Sequence, residues 1–145
     1  MDNNDRKRKI NEYIQRDSFA RFLGAKVEIL KPGHSRVTLT ITDDMLNFHG
    51  LTHGCVVFAI GDMAFAAASN SHGQTAVALN VGINFLKATT SGDRLVAEAE
   101  EQTAAGPIAL YDITIRNDRT GELVAKSQDL VYRKKEWFAA RDDSG

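Results

Sequence analysis

At 145 residues, 43% hydrophobic and 26% charged, the chain has the size and composition of one folded domain and is too apolar for a disordered segment. Its formal net charge of -1 excludes a whole-chain field aimed at nucleic acid or an anionic membrane. The single cysteine, Cys55, excludes an internal disulfide and a structural zinc site built on thiolates.

The N-terminus, MDNNDRKRKINEYIQRDSF, is polar and lacks the apolar run of a signal peptide. Ile10, Tyr13, Ile14 and the segment Asp17–Phe22 predict one or two short amphipathic helices over 5–23, with Phe19, Phe22 and Leu23 on the sticky side. AKVEIL and SRVTLTIT alternate around the turn KPGH, which predicts a hairpin with Val37, Leu39 and Ile41 inward. The character then changes. HGCVVFAIGDMAFAAASN is apolar on nearly every face, the pattern of a helix buried all round, with Gly73 as its stop signal. The apolar run 54–69 is too short to cross a membrane and is broken by Gly61 and Asp62. A soluble, cytoplasmic protein is expected.

Strand patterns return in TAVALNVGINFL, RLVAEAEEQ, IALYDITIRN and LVAKSQDLVYRK, separated by SGD, AAGP and DRTGE turns. The tail, 134–145, is expected to be loose, with Trp137 and Phe138 either stray or docked on a neighbour. Short turns between strands argue an antiparallel sheet, and one apolar helix among them needs that sheet as cover. The expected class is therefore α+β: a single domain over 1–145, with a core at about 24–133 in which a curved sheet wraps one central helix.

Between Met45 and Leu86 the only charged side chain is Asp62. A carboxylate on a buried helix is costly to desolvate. Either its proton affinity rises and it becomes a poised acid or base, or it is a structural group, or it lies on the one stripe that faces a cleft or another subunit. The helix is expected to start near His53 and Gly54. First-turn N–H groups lack internal partners and hold oxyanions, and Gly54 lets a carbonyl approach. Asp62 lies eight residues on, roughly 12 Å along the axis. One carbonyl served by both groups therefore has to sit between two subunits. His49 and His53, four apart, are a weak metal pair. His53 fits better as a hydrogen-bonding group near a substrate carbonyl. Cys55 diverges from His53 by about 200° on a helix and reads as a small apolar core residue rather than a nucleophile. Asn47 either caps a turn or positions a water.

The run NFHGLTHGCVVFAIGD, followed by AFAAASNSHGQTAVALNVGINFLKATTSGDRL, LYDI and LVAKSQDLVYR, resembles the hotdog-fold thioesterases, in particular the phenylacetate-pathway, PaaI-type acyl-CoA thioesterases. The likeness spans about 24–133. It implies a hotdog fold and hydrolysis of an acyl-CoA, aromatic ones such as phenylacetyl-CoA or a hydroxylated derivative among them. It further implies homodimers that often pair into tetramers, with sites at the dimer interface. Asp62 is then the nucleophile or general base, the Gly54 N–H holds the oxyanion, and Asn47 and His53 position thioester and water. Lys87 is a candidate contact for a coenzyme A phosphate. The sequence departs from the family pattern at Cys55, whose side chain is expected either to narrow the entrance beside the substrate or to change which acyl group fits, and at Ala88, where the family commonly has proline. No metal or organic cofactor is expected, since water and a carboxylate suffice for hydrolysis. A hydroxyacyl-thioester dehydratase and a non-catalytic acyl-CoA binder are the alternatives on the same scaffold.

Overall fold

The N-terminal segment folds as two helices, each started by an aspartate. In the computed structural model, which describes residues 1–141, α1 (Asn3–Ile14) begins after Asp2, whose carboxylate accepts from the Asp5 N–H. Asp17 does the same for Ala20 at the start of α2 (Ser18–Leu23). Such caps satisfy N–H groups the helix itself leaves open. Gly24, at φ +79°, ends α2 in the left-handed conformation that glycine adopts without steric cost.

Six strands follow: β1 (Lys26–Lys31), β2 (His34–Thr40), β3 (Gln74–Phe85), β4 (Arg94–Ala105), β5 (Ile108–Asn117) and β6 (Leu123–Trp137). They form one antiparallel sheet in the order β1-β2-β4-β5-β6-β3. The helix α3 (Gly54–Asn70) joins β2 to β3 and carries the chain across the sheet, so β3 pairs with β6 at the far edge. This is the α+β arrangement expected from the alternation. Val37, Leu39 and Ile41 point inward as expected, and with Leu95, Ile113 and Ile115 they meet Ile60, Ala64 and Phe65 of α3 in the buried core. Gly61 permits the closest approach: a Cβ there would lie 3.2 Å from Ile115 Cδ1 and 3.8 Å from Ile113 Cγ2. No described helix is long and apolar enough to cross a membrane.

Two expectations are corrected. The helix α3 is not buried all round: Cys55, Phe58, Asp62 and Ala66 form an exposed stripe at helical spacing along one flank. Three of those four residues are uncharged and mostly apolar, so the sequence pattern carries no break to mark the stripe. Nor is the chain loose from residue 134. Strand β6 continues to Trp137, paired through Gln74. Phe138 then stacks on Tyr13 of α1 with ring centroids 4.1 Å apart, Gly73 O accepts from the Phe138 and Ala139 N–H groups, and Ala139 is buried. Arg6 donates to Ala140 O at 2.9 Å and also to His72 O. The C-terminal segment thus clamps α1 to the end of α3. The final four residues of the expected loose tail, 142–145, lie outside the described residues.

Candidate active site

The loop before α3 is fastened by its own backbone. Asn47 N–H donates to Leu51 O at 2.7 Å and Gly50 N–H to Asn47 O at 3.0 Å. The Asn47 side-chain oxygen accepts from the His49 and Leu51 N–H groups at 2.9 and 3.2 Å. Of the two roles open to Asn47 in sequence, turn capping is therefore present, and its amide NH2 has no acceptor among the described residues. Thr52 N–H to Thr89 O, the Thr89 hydroxyl to Thr52 at 2.8 Å, and the Thr90 hydroxyl to Gly50 O at 3.0 Å tie the loop to the segment after β3.

His53 is the N-cap of α3, as the expected helix start requires. Its Nδ1 accepts from the Cys55 N–H at 3.1 Å. A ring that accepts at Nδ1 carries its proton on Nε2 and so offers a donor outward. Because His53 takes the Cys55 N–H, and Val56 and Val57 N–H both reach His53 O, Gly54 is the one first-turn residue whose N–H has no partner among the described residues. Gly54 lies against the Phe85 ring, with room for a Cβ at 3.7 Å. A cavity of about 300 Å³ opens here, lined by Asn47, Gly54, Phe85 and Lys87 among others. Lys87 is exposed and pairs with Glu122 at 3.0 Å. Cys55, expected in the core, is exposed on the flank of the helix. Only its backbone is engaged here, through the His53 ring.

Asp62 lies on the same flank as Cys55, two turns on, and does not line the Gly54 cavity. Its side chain reaches the surface of the single chain. Its carboxyl is nevertheless held above the ordinary carboxylate range, first by loss of solvent around it and then by the negative charge of Asp17 at the start of α2. Beyond Asp62, the stripe runs into a groove of about 480 Å³ between α3 and the N-terminal helices, lined by Tyr13, Ile14, Asp17, Met63, Ala66 and Ala76 among others. The His49 ring packs tilted against the Phe48 ring, with centroids 4.3 Å apart and planes at 51°. The only cluster of three potential metal-ligating side chains among the described residues is His34, Glu98 and Glu100, away from this site, where Arg36 already engages Glu98 at 2.8 and 2.9 Å.

A family model for the thioesterase superfamily matches residues 49–124, the segment that carries most of this loop, α3 and the strands β3, β4 and β5. The chain belongs to the thioesterase superfamily. It is thus read as a thioester hydrolase with a hotdog fold. It is 38% identical over 105 residues to the acyl-coenzyme A thioesterase PaaI of Escherichia coli, covering 72% of this chain and 75% of that protein. The solved E. coli PaaI protein superimposes with a TM-score of 0.85 over 90% of this chain and 97% of that one, at 32% identity. A Streptococcus mutans protein solved bound to acetyl CoA is 28% identical, with a TM-score of 0.71 over 76% of this chain and 88% of that one.

Sequence reasoning missed two acids that interact electrostatically with Asp62. Asp17 was read only as part of a helical segment, although an Asp before an apolar run is an N-cap signal. Asp129 was read as one residue of a strand. Alternation in LVAKSQDLVYRK places it on the same face as Ala125 and Val131, which signals a buried charge.

Proposed function

We propose that the protein hydrolyses an acyl-CoA at a site built by two copies of the chain, Asp62 from one and the start of α3 from the other. The observation that carries this reading is the unpartnered Gly54 N–H lining a cavity with Asn47 and Lys87, while Asp62 lies two turns away, outside it. The relatives solved with coenzyme A or acetyl CoA support that class of substrate.

In this mechanism the thioester carbonyl oxygen sits against the Gly54 N–H, with the Nε2–H of His53 and the amide of Asn47 as further donors. Asp62 takes a proton from water as the water oxygen bonds to the carbonyl carbon, or attacks that carbon itself, in which case water then hydrolyses the acyl-Asp62 anhydride to the free acid and restores the carboxylate. The negative charge that develops on the carbonyl oxygen is stabilised by donors already in place. The C–S bond then breaks, and the thiolate leaves as coenzyme A once protonated. An elevated proton affinity suits Asp62 to this work, because a base is most effective when its pKa approaches the working pH.

The coenzyme A moiety follows the Phe85–Lys87 side of the cavity, where Lys87 exchanges Glu122 for a phosphate. The acyl group enters the apolar groove beyond Asp62, walled by the N-terminal helices that the sequence left without a role. That groove suits a single ring or a medium chain. The open edge of β3 supports a homodimer: this 12-residue strand has no charged side chain, and Val77, Leu79 and Phe85 are exposed on it. The test is a thiol-release assay over aromatic, short and long acyl-CoAs, with product analysis. Free acid and thiol together support hydrolysis. Water loss with the thioester intact would point to a dehydratase, and saturable binding without thiol release to a binder.

A further inference from the structure

Strand β6 alternates strictly where it crosses α3: Ala125, Ser127, Asp129 and Val131 all face inward and are buried. Asp129 is only 1% exposed. The Ser127 hydroxyl donates to its Oδ1, and no lysine, arginine or histidine of the described residues pairs with it. Lys126 points the other way, to Asp112 at 3.1 Å. Arg133, further along the inner face, is spent on the Gly106 and Ala104 carbonyls.

The packing places this acid under α3, the helix that carries Asp62. Gly61 presses α3 onto Ile113 and Ile115. One turn on, Phe65 meets Tyr111 edge-on at 5.6 Å. In the register of β5 with β6, Ser127 stands beside Ile113 and Asp129 beside Tyr111. Asp62 follows Gly61 by about 100° around the helix, on the flank whose Ala66 shares a groove with Ala76 of β3, the strand beside β6, and its negative charge acts to raise the proton affinity of Asp129. The titratable groups facing Asp129 are thus Asp62 from α3 and Tyr111 from β5, whose hydroxyl is tied to Glu101 at 3.2 Å. Val81 is its neighbour on β3.

We infer that Asp129 is a positioning residue of the hydrolytic site: its buried carboxylate, without a cation of its own, acts through Asp62 and strengthens it as a base. The inference rests on the role proposed for Asp62. Burial, and after it the Asp62 charge, lift Asp129 to about 6, against the Ser127 hydrogen bond, which favours the ionised form. The two acids therefore titrate as a coupled pair, each harder to ionise once the other carries its charge.

The experiment is the pH profile of kcat/KM for an acyl-CoA that the protein hydrolyses, measured on wild type, Asp129→Asn, Ser127→Ala and Asp62→Asn. Wild type is expected to rise in two steps, the upper near pH 6. Asp129→Asn is expected to lose the upper step and to level off about threefold to tenfold lower, since a weaker base transfers the proton less well. Ser127→Ala removes the bond that favours ionised Asp129 and is expected to move the upper step to higher pH. A purely structural role would lower the rate and leave the shape of the profile alone. Superimposable profiles for wild type, Asp129→Asn and Ser127→Ala overturn the inference while the Asp62 reading stands, provided Asp62→Asn is inactive. An active Asp62→Asn overturns both. Should Asp129→Asn not fold, the direction of the Ser127→Ala step decides alone.

Discussion

The sharpest test of the proposed oxyanion site is Gly54→Pro. Proline at the first position of a helix is well tolerated, because the N–H it removes has no intrahelical partner. Here that N–H has no partner of any kind among the described residues. Proline also restricts the residue before it to extended backbone, and His53 already has φ -61° and ψ 133°. The one nearby wall is the Phe85 ring, 3.7 Å from an added Cβ, an ordinary contact. The substitution therefore deletes a single donor and leaves α3 intact. It should hold or slightly raise stability, by about 0.4–1 kcal/mol through a less flexible unfolded chain. A lost oxyanion donor costs roughly 2.7–4 kcal/mol of transition-state stabilisation, a fall in kcat of about 100- to 1000-fold. The assay is steady-state thiol release, paired with a thermal melt. Gly54→Ala, which keeps the N–H, is the control and should retain most of the turnover. A melt at or above wild type together with a kcat reduced less than tenfold would refute the role of the Gly54 N–H.

Asp62→Asn should lower kcat by at least about 100-fold with little change in melting temperature, the range for loss of a general base; near-wild-type turnover sinks the mechanism. Asp129→Asn should also change stability with pH. The folded protein binds the Asp129 proton more tightly than the unfolded chain, so this group's contribution is full below pH 3.8 and is lost as pH rises through about 6. Raising a carboxyl from 3.8 to about 6 corresponds to roughly 3 kcal/mol. Denaturant unfolding should therefore find Asp129→Asn more stable than wild type at pH 8 by up to about that amount, with the gap closing by pH 4; a gap independent of pH contradicts it. Leu79→Asp on the open edge strand should dissociate the proposed dimer in sedimentation and abolish turnover with it, whereas an active monomer would show that the site needs only one chain.

Much of the fold was legible because each element declares itself locally. His53-Gly54 stands at the onset of the apolar run, and the structure starts α3 there with His53 as cap. Val37, Leu39 and Ile41 alternate with polar neighbours, and all three are buried. What was not legible depends on partners far away in sequence. Nothing near Phe138 indicates that its ring will lie on Tyr13, 125 residues earlier. The exposed stripe of α3 was hidden for another reason. A helix flank that is apolar yet uncovered by its own chain has the same sequence pattern as one in the core, so Cys55 was expected inside. Asp129 is the opposite case. Its signal was local, a charge in phase with buried Ala125 and Val131, but a strand that fits its sheet does not by itself single out one acid.

The open edge of β3 and the uncovered flank of α3 belong to one surface. The helix lies along β3 from Gly54, set against Phe85, to Asn70, whose amide donates to Ala76 O at 3.1 Å. In a lone chain this surface combines two liabilities. A long edge strand with exposed Val77, Leu79 and Phe85 invites pairing. Beside it, Phe58 is exposed next to an acid whose proton affinity is already raised. Antiparallel pairing of two β3 strands would satisfy the edge and bring the two α3 helices side by side, running in opposite directions. The start of one helix would then face the middle of the other, and the roughly 12 Å between Gly54 and Asp62 along one axis would cease to separate them. The same contact would remove more water from Asp62 and strengthen it further as a base. On this reading the surface that fails as the outside of a monomer is where the acid and the oxyanion donor meet, and dissociation should abolish catalysis without unfolding either chain.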